Sequence, residues 1–294
     1  MLRENFIRMQ LRLFKPFAAA MSLKTAREGQ DKLGLLMTSL QKKKVINQNI
    51  HFDSFEGALI TPKDILRDGI LLYLHGGGYT CGDLAYAKGF GATLAARLGI
   101  RVLCPAYRLA PEAPFPAAVE DALAAYRYLL AEGYPPSEIL VCGESAGGGL
   151  VFSLCLKLRE IGLAMPAGII AISPWTDLTL SGSTYAANAD ADPSLTRSRL
   201  RFFADCYIHG TPNGISDNNL DQEMKKNPLA SPLFGDLSRL PPALILAGGD
   251  EILLDDTRRM QGALRAAGGV SRIIVREGMW HSYLLYPIRS SQKD

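Results

Sequence analysis

One serine in a glycine-framed segment is the first residue of this chain that could act as a nucleophile. Ser145 is the central residue of the segment 143–147, which reads GESAG and matches the pattern G-x-S-x-G. The segment follows an apolar run, 139–142, and opens a helical pattern, and this strand–turn–helix setting is required of a catalytic serine turn. The glycines allow a sharp turn, and the helix N-terminus adds a positive field. The match alone is weak, but its setting between a strand and a helix favours a nucleophile over the alternative, a glycine-rich helix cap.

A glycine triplet, His75-Gly76-Gly77-Gly78, follows another apolar run and could serve the same chemistry. Attack on an acyl group creates an oxyanion that needs backbone N–H groups aimed at one point, and glycines let the backbone come close. We expect the N–H groups of Gly76, Gly77 and Ala146 to form this oxyanion hole. A phosphate loop is disfavoured, because no Lys-Ser/Thr pair follows and no G-x-G-x-x-G opens a helix.

A hydroxyl nucleophile needs a base, and the base needs an acid to orient it. Of the four histidines, only His281 follows the last apolar run at the end where Ser145 would lie. The acid is expected after the run 244–247, where Asp250 and Glu251 stand side by side. The order serine, acid, histidine is that of α/β-hydrolases.

The elements that must position these residues are short apolar runs alternating with helical patterns. A first strand pair is expected within 46–60, and helices are expected at 117–132, 147–161 and 255–267. Continuous apolar runs indicate strands buried on both faces of a mostly parallel, doubly wound sheet. The further predicted strands are 70–74, 102–106, 139–142, 169–172, 244–247 and 273–275.

Two regions lie outside this alternation and are expected to form a helical cap. We assign residues 1–45 to N-terminal cap helices and 177–228 to a cap insertion with one helical piece, 198–207. The core then comprises 46–176 and 229–294. Near the N-terminus, Phe6, Met9, Leu11 and Leu13 alternate with arginines, which predicts an amphipathic helix packed on its own domain rather than laid on a membrane.

Several of these segments together resemble the hormone-sensitive-lipase-like family of α/β-hydrolases. They are HGGGY at 75–79, YRLAPEAPFPAAVEDA at 107–122, GESAGG at 143–148, SPW at 173–175 and GMWH at 278–281. The resemblance implies an α/β-hydrolase fold with a cap and a serine carboxylesterase that usually favours small acyl groups. It also favours Glu251 over Asp250, because one branch of the family carries Gly-x-x-Glu-x-Leu and residues 248–253 read GGDEIL.

Composition narrows the remaining choices. The 294 residues carry a net charge of +3 and 21% charged residues, which does not suggest a nucleic-acid partner. The N-terminus has scattered charges, so neither a signal peptide nor stable membrane insertion is expected. Five cysteines without a CxxC pair indicate reduced thiols and a cytoplasmic protein. No metal or other cofactor is expected, since no cluster of ligands has metal-binding spacing.

The function predicted is hydrolysis of a small, short-acyl ester through an acyl-enzyme on Ser145. An amidase, deacetylase or lactonase using the same site is the alternative, and a non-catalytic small-molecule receptor is a remote one. The sequence leaves open whether the protein forms a homodimer. Aromatic residues expected to line the substrate pocket are Tyr79, Trp175, Phe202, Phe203 and Tyr207.

Overall fold

The computed structural model describes residues 2–214 and 217–288, and its centre is one eight-stranded sheet. The strand order is β1-β2-β4-β3-β5-β6-β7-β8. The β1–β2 and β2–β4 pairs are antiparallel, and all other pairs are parallel. The strands are β1 (Val45–His51), β2 (Glu56–Pro62), β3 (Ile70–Leu74), β4 (Arg101–Ala106), β5 (Ile139–Glu144), β6 (Gly168–Ile172), β7 (Ala243–Gly248) and β8 (Ser271–Arg276).

Helices cover both faces of the sheet, which explains why the strands read as continuous apolar runs. On β3, Ile70, Leu72 and Leu74 pack into one hydrophobic core, while Leu71 and Tyr73 pack into the core on the opposite face. Side chains alternate across a strand, so a strand covered on both sides must be apolar at every position. The doubly wound α/β-hydrolase architecture predicted from the sequence is confirmed, with every predicted strand present.

Nine α-helices lie in the described residues. Those predicted at 117–132, 147–161 and 255–267 begin and end within a residue of the prediction. The helices are α1 (Leu2–Ala20), α2 (Leu23–Gln41), α3 (Leu84–Leu98), α4 (Ala117–Ala131), α5 (Ala146–Glu160), α6 (Thr184–Ala187), α7 (Arg197–His209), α8 (Asn218–Lys225) and α9 (Leu254–Ala266).

The insertion at 177–228 contains α6, α7 and α8, so the expectation of one helical piece is wrong. The two extra helices have only four and eight residues, so neither is long enough to show an apolar periodicity in its sequence. Asp217 caps α8 by accepting hydrogen bonds from the N–H groups of Asn219 and Leu220. The division of the chain into core and cap stays a prediction.

The N-terminal helices attach to the sheet in different ways. Helix α2 crosses α3 so closely that a Cβ atom on Gly34 would lie 2.2 Å from the carbonyl oxygen of Ala85. Helix α1 instead leaves Phe6, Met9 and Leu13 exposed. The helix at this position was predicted correctly, but its expected packing onto the domain was wrong for these three side chains. No helix of the described residues is both long and apolar enough to cross a membrane.

Candidate active site

Ser145 lies in a strained turn between β5 and α5. Its φ is 56° and its ψ is −120°, a conformation that non-glycine residues rarely adopt. The flanking glycines are needed for space: a Cβ atom on Gly143 would lie 2.3 Å from the carbonyl oxygen of Gly147, and one on Gly147 would lie 2.0 Å from that of Leu74. The Ser145 N–H donates to the carbonyl oxygen of Ile172 at 2.9 Å, which fixes the turn against β6.

His281 and its acid come from the loops that follow β8 and β7. Nδ1 of His281 lies 2.9 Å from Oε2 of Glu251, whose side chain is fully buried. Asp250 points elsewhere, since its carboxylate pairs with Arg8 of α1 at 2.8 Å. Of the two carboxylates that the sequence left open, the one in contact with the histidine is therefore Glu251.

The pKa of Glu251 is set by two opposing effects. Burial raises it, and the hydrogen bond with His281 lowers it. The cap insertion holds the loop in place, because Asp192 accepts a hydrogen bond from the N–H of Ile252 and Asn188 donates one to the carbonyl oxygen of Glu251. The carboxylate is thus held rigidly beside the imidazole.

Ser145 and His281 line the same cavity, although no direct hydrogen bond joins them. Catalytic hydrogen bonds are often long before a substrate binds. The cavity has a volume of about 590 Å³ and takes side chains from both cap segments and from the core. Its cap lining includes Phe14, Ala18, Lys32, Leu33, Leu195, Thr196, Arg199 and Phe203.

The glycine triplet reaches this cavity, but one of its expected donors is already engaged. A Cβ atom on Gly76 would lie 3.1 Å from the Cβ of Ser145, so the loop passes directly beside the nucleophile. The Gly76 N–H donates at 2.6 Å to Oε1 of Glu144, however. An N–H group bonded to a buried carboxylate is not free to bind an oxyanion, so the structure contradicts the expectation for Gly76.

The remaining donors around Ser145 are available. Within the described residues, the N–H groups of Gly77 and Gly78 have no hydrogen-bond partner. Both glycines have a positive φ, of 118° and 63°. Ala146 is the first residue of α5, where the backbone N–H has no partner inside the helix.

Glu144 positions the glycine loop, a role that the sequence motif did not reveal. Its buried carboxylate also accepts hydrogen bonds from the hydroxyls of Tyr73 at 2.7 Å and Tyr86 at 3.3 Å. Burial raises the pKa of Glu144 to about 7, while these bonds oppose the rise. The only signal for this role was the place of Glu144 next to the nucleophile.

His75 packs the start of the loop rather than taking part in chemistry. Its ring stacks on Tyr107 with 4.1 Å between centroids, and the Tyr107 hydroxyl donates to the His75 carbonyl oxygen at 2.6 Å. Burial lowers the pKa of His75 to about 4, so the imidazole is neutral near pH 7.

Only Phe203 of the five predicted pocket aromatics lines the cavity. Tyr79 and Tyr207 stack on each other at 3.8 Å between ring centroids, and Trp175 lies 6.2 Å from Tyr79 in the same buried cluster. Phe202 packs under the guanidinium of Arg199 instead. The prediction was wrong for these four, because neither a place next to a motif nor aromatic spacing on a helix reveals whether the facing surface is a cavity or the core.

Arg199 lines the cavity and was not predicted. Its guanidinium donates to the carbonyl oxygen of Met21 at 2.7 Å and lies over the rings of Phe202 and Phe203 at 4.8 and 4.7 Å from their centroids. It therefore links α7 to the connection between α1 and α2.

One group of potential metal ligands occurs in the described residues: Asp205, His209 and Asp221. Lys225 already supplies a positive charge there, with Nζ 2.6 Å from Asp205 and 2.8 Å from Asp221. The group is best described as a buried ion cluster that ties α7 to α8.

Comparisons with known proteins agree with this fold. Residues 71–285 match the family model described as alpha/beta hydrolase fold. The chain therefore belongs to the α/β-hydrolase family, and its relatives place it in the hormone-sensitive-lipase-like branch.

Two relatives and two solved structures illustrate this placement. An acetyl-hydrolase of Streptomyces hygroscopicus is 41% identical over 69% of this chain, and the match spans 64% of that protein. A putative acetyl-hydrolase, LipR, of Mycobacterium tuberculosis is 32% identical over 97% of this chain and 88% of its own length. An esterase/lipase from an uncultured bacterium superposes with a TM-score of 0.85 at 31% identity, covering 99% of this chain and 94% of the other. An esterase of the bacterial hormone-sensitive lipase family gives 0.82 at 34% identity, covering 98% and 93%.

Proposed function

We propose that this chain, a serine carboxylesterase of the α/β-hydrolase family, hydrolyses small esters with short acyl groups. The observation that carries the proposal is the meeting of Ser145, His281 and the glycine loop at one cavity, with Glu251 bonded to His281. The names of the similar acetyl-hydrolases support a short acyl group. A cavity of about 590 Å³ is also in the range of small-molecule sites.

The reaction proceeds in two acyl-transfer steps. His281 takes the hydroxyl proton of Ser145 as the oxygen attacks the ester carbonyl, and the imidazolium then protonates the departing alcohol. Water then gives a proton to His281 as its oxygen attacks the carbonyl of the acyl-enzyme. The bond between Ser145 Oγ and the acyl carbon breaks, the imidazolium returns its proton to Oγ, and the carboxylic acid leaves. Glu251 orients the imidazole and stabilises its charged form throughout.

The oxyanion of each step is bound by the N–H groups of Gly77, Gly78 and Ala146. Gly78 replaces Gly76 in this set, because the Gly76 N–H is held by Glu144. Donors fixed before the reaction stabilise the developing charge without reorganising, and the loss of one donor typically costs about 100- to 1,000-fold in kcat.

A cytoplasmic location is part of the proposal. All five cysteines are unpaired and buried, which suits a reducing compartment. The homodimer stays a prediction.

A chain-length series of p-nitrophenyl esters tests the function. Wild type is expected to hydrolyse acetate and butyrate esters best, and Ser145→Ala to lose roughly 10,000-fold or more in kcat. Matched anilides and lactones report the alternative activities. Hydrolysis of short esters that survives Ser145→Ala, or none in wild type, would overturn the proposal.

A further inference from the structure

The outer face of the N-terminal cap helices has no covering partner in the described chain. On α1, Phe6, Met9, Leu13 and Phe17 follow one another at helical spacing, and between 51% and 70% of each is exposed. A second exposed apolar row lies on α2. Its members are 48% to 71% exposed and are Leu33, Leu36 and Leu40. Large apolar side chains in rows mark an interaction surface, unlike single exposed ones.

Both helices also place an exposed apolar side chain at the mouth of the active-site cavity. Phe14 and Leu33 both line the cavity, yet each is about half exposed, so they form its rim. Phe17 continues the row from Phe14, with 6.5 Å between the ring centroids. The unpartnered surface therefore adjoins the entrance to the site.

The segment that carries this surface is strongly basic, in contrast to the rest of the sequence. Residues 1–45 contain ten lysines and arginines against three acidic residues, a net charge of +7. All other residues together carry 22 against 26, a net charge of −4. Within the described part of the chain, the following exposed cations of this segment pair with no carboxylate: Arg3, Arg12, Lys24, Lys32, Lys42, Lys43 and Lys44.

We propose that the α1–α2 face docks onto an anionic lipid surface. A helix with exposed apolar residues flanked by cations lies in the membrane interface, with its apolar row among the acyl chains and its cations at the headgroups. A second copy of this face fits poorly, because a dimer through it would bring together two segments that each carry an excess of positive charge. Docking is peripheral and requires no membrane-spanning segment.

Docking turns the rim of the cavity toward the lipid, where apolar esters concentrate. This consequence rests on the proposed esterase function, whereas the docking itself does not. Ser145→Ala is accordingly expected to bind vesicles as well as wild type does, so failure of one proposal is distinguishable from failure of the other.

Vesicle co-sedimentation of the full chain tests the proposal, with phosphatidylcholine vesicles that contain or lack phosphatidylglycerol. We expect binding to the anionic vesicles, little binding to neutral ones, and release between roughly 50 and 500 mM NaCl. The triple variant Phe6→Ser, Leu13→Ser, Phe17→Ser should bind at least about tenfold more weakly. Arg3→Gln with Arg12→Gln should also lose about tenfold or more and depend less on salt.

Matched controls separate docking from general surface effects. Leu66 and Val270 are 75% and 71% exposed and lie outside the cap helices, so Leu66→Ser with Val270→Ser should bind vesicles like wild type. The triple variant should keep its hydrolysis of p-nitrophenyl acetate in solution, since none of its three positions lines the cavity.

Three results would overturn the proposal. The first is no binding of wild type to anionic vesicles at low salt, and the second is an equal loss in the Leu66/Val270 control. The third is light scattering that shows a wild-type dimer which the triple variant converts to a monomer, because the face would then be covered by a second copy.

Discussion

The turn that carries Ser145 and the N-terminal helix α1 both contribute to the active-site cavity, yet they are held in opposite ways. Every residue of α5 from Ala146 to Leu156 is buried, and the turn before it is fixed by backbone hydrogen bonds to neighbouring strands. Helix α1 exposes its apolar row, packs Ile7 and Leu11 on a small cluster around Trp280, and is otherwise held by polar contacts. Lys15 donates to the carbonyl oxygens of Ala189 at 2.7 Å and Asp192 at 2.6 Å, and Arg8 pairs with Asp250.

This difference indicates a division of labour. The reacting groups stand on elements that cannot move without opening the core, which is what preorganised catalysis requires. Helix α1 is held by surface contacts of small individual energy, so it can vary without disturbing the chemistry. Changes at the turn should therefore alter kcat, and changes in residues that line the cavity away from the turn should alter which substrates enter.

The largest effect is expected from the two adjacent carboxylates, one facing the core and one facing the cap. Glu251→Gln should lower kcat for p-nitrophenyl acetate roughly 10,000-fold, since the imidazole loses both its orientation and its counter-charge. Asp250→Asn removes only the partly buried pair with Arg8, which makes no contact with His281, and should change kcat less than about threefold. A large loss in Asp250→Asn with little loss in Glu251→Gln would reverse the assignment.

The next effect concerns Glu144, whose buried carboxylate anchors the glycine loop. Its pKa is raised to about 7, from about 4.5 in the unfolded chain, so the folded protein holds a proton that the unfolded chain releases. This contribution to stability is complete below pH 4.5 and is lost as the pH rises to 7, a change of about 3 kcal/mol. Glu144→Gln cannot titrate and should lack it.

Urea unfolding at pH 5 and pH 8 measures the difference between wild type and Glu144→Gln. The other ionisable groups are the same in both proteins, so their contributions cancel in that difference. Relative to the variant, the free energy of unfolding of wild type should be about 2 to 3 kcal/mol lower at pH 8 than at pH 5. A difference that is the same at both pH values would show that Glu144 is ionised throughout.

A smaller effect is expected at the contact between α2 and α3. Gly34→Ala places a methyl group 2.2 Å from the Ala85 carbonyl oxygen, so the helices must separate at a cost of about 2 to 3 kcal/mol in the free energy of unfolding. Gly29→Ala on the same helix meets nothing within 4 Å and should stabilise by about 0.5 to 1 kcal/mol. Thermal unfolding of both variants checks this prediction. Equal shifts in the unfolding temperature would mean that α2 does not pack closely on α3.

The core was predictable from the sequence because each of its signals is local. A strand buried on both faces is an unbroken apolar run, and the strained turn at Ser145 needs glycines within two residues of it. Strand ends then bring Ser145 and His281 to one edge of the sheet, whatever the detail of the connections.

The errors arose where the answer depends on residues far apart in the sequence. The Gly76 N–H is engaged by Glu144, 68 residues away, and the motif around Gly76 carries no trace of this bond. The aromatic residues Tyr79 and Tyr207 could equally have faced a cavity, and only the stacking between them, across 128 positions, buries both.

The smallest effect is expected from two aromatic residues of α7. Phe203 lines the cavity and Tyr207 does not, so replacing each of them should affect substrate selection differently. Phe203 lies directly over the glycine loop, since a Cβ atom on Gly78 would be 2.3 Å from its ring. Phe203→Ala enlarges the cavity there and should raise kcat/KM for hexanoate relative to acetate about tenfold. Tyr207→Phe removes a buried hydroxyl that has no partner in the described structure and should leave this ratio within about twofold of wild type. The test is to measure the ratio of kcat/KM for p-nitrophenyl hexanoate to that for the acetate in both variants. A change of this ratio in the Tyr207 variant but not in the Phe203 variant would mean that the acyl group binds among the stacked tyrosines.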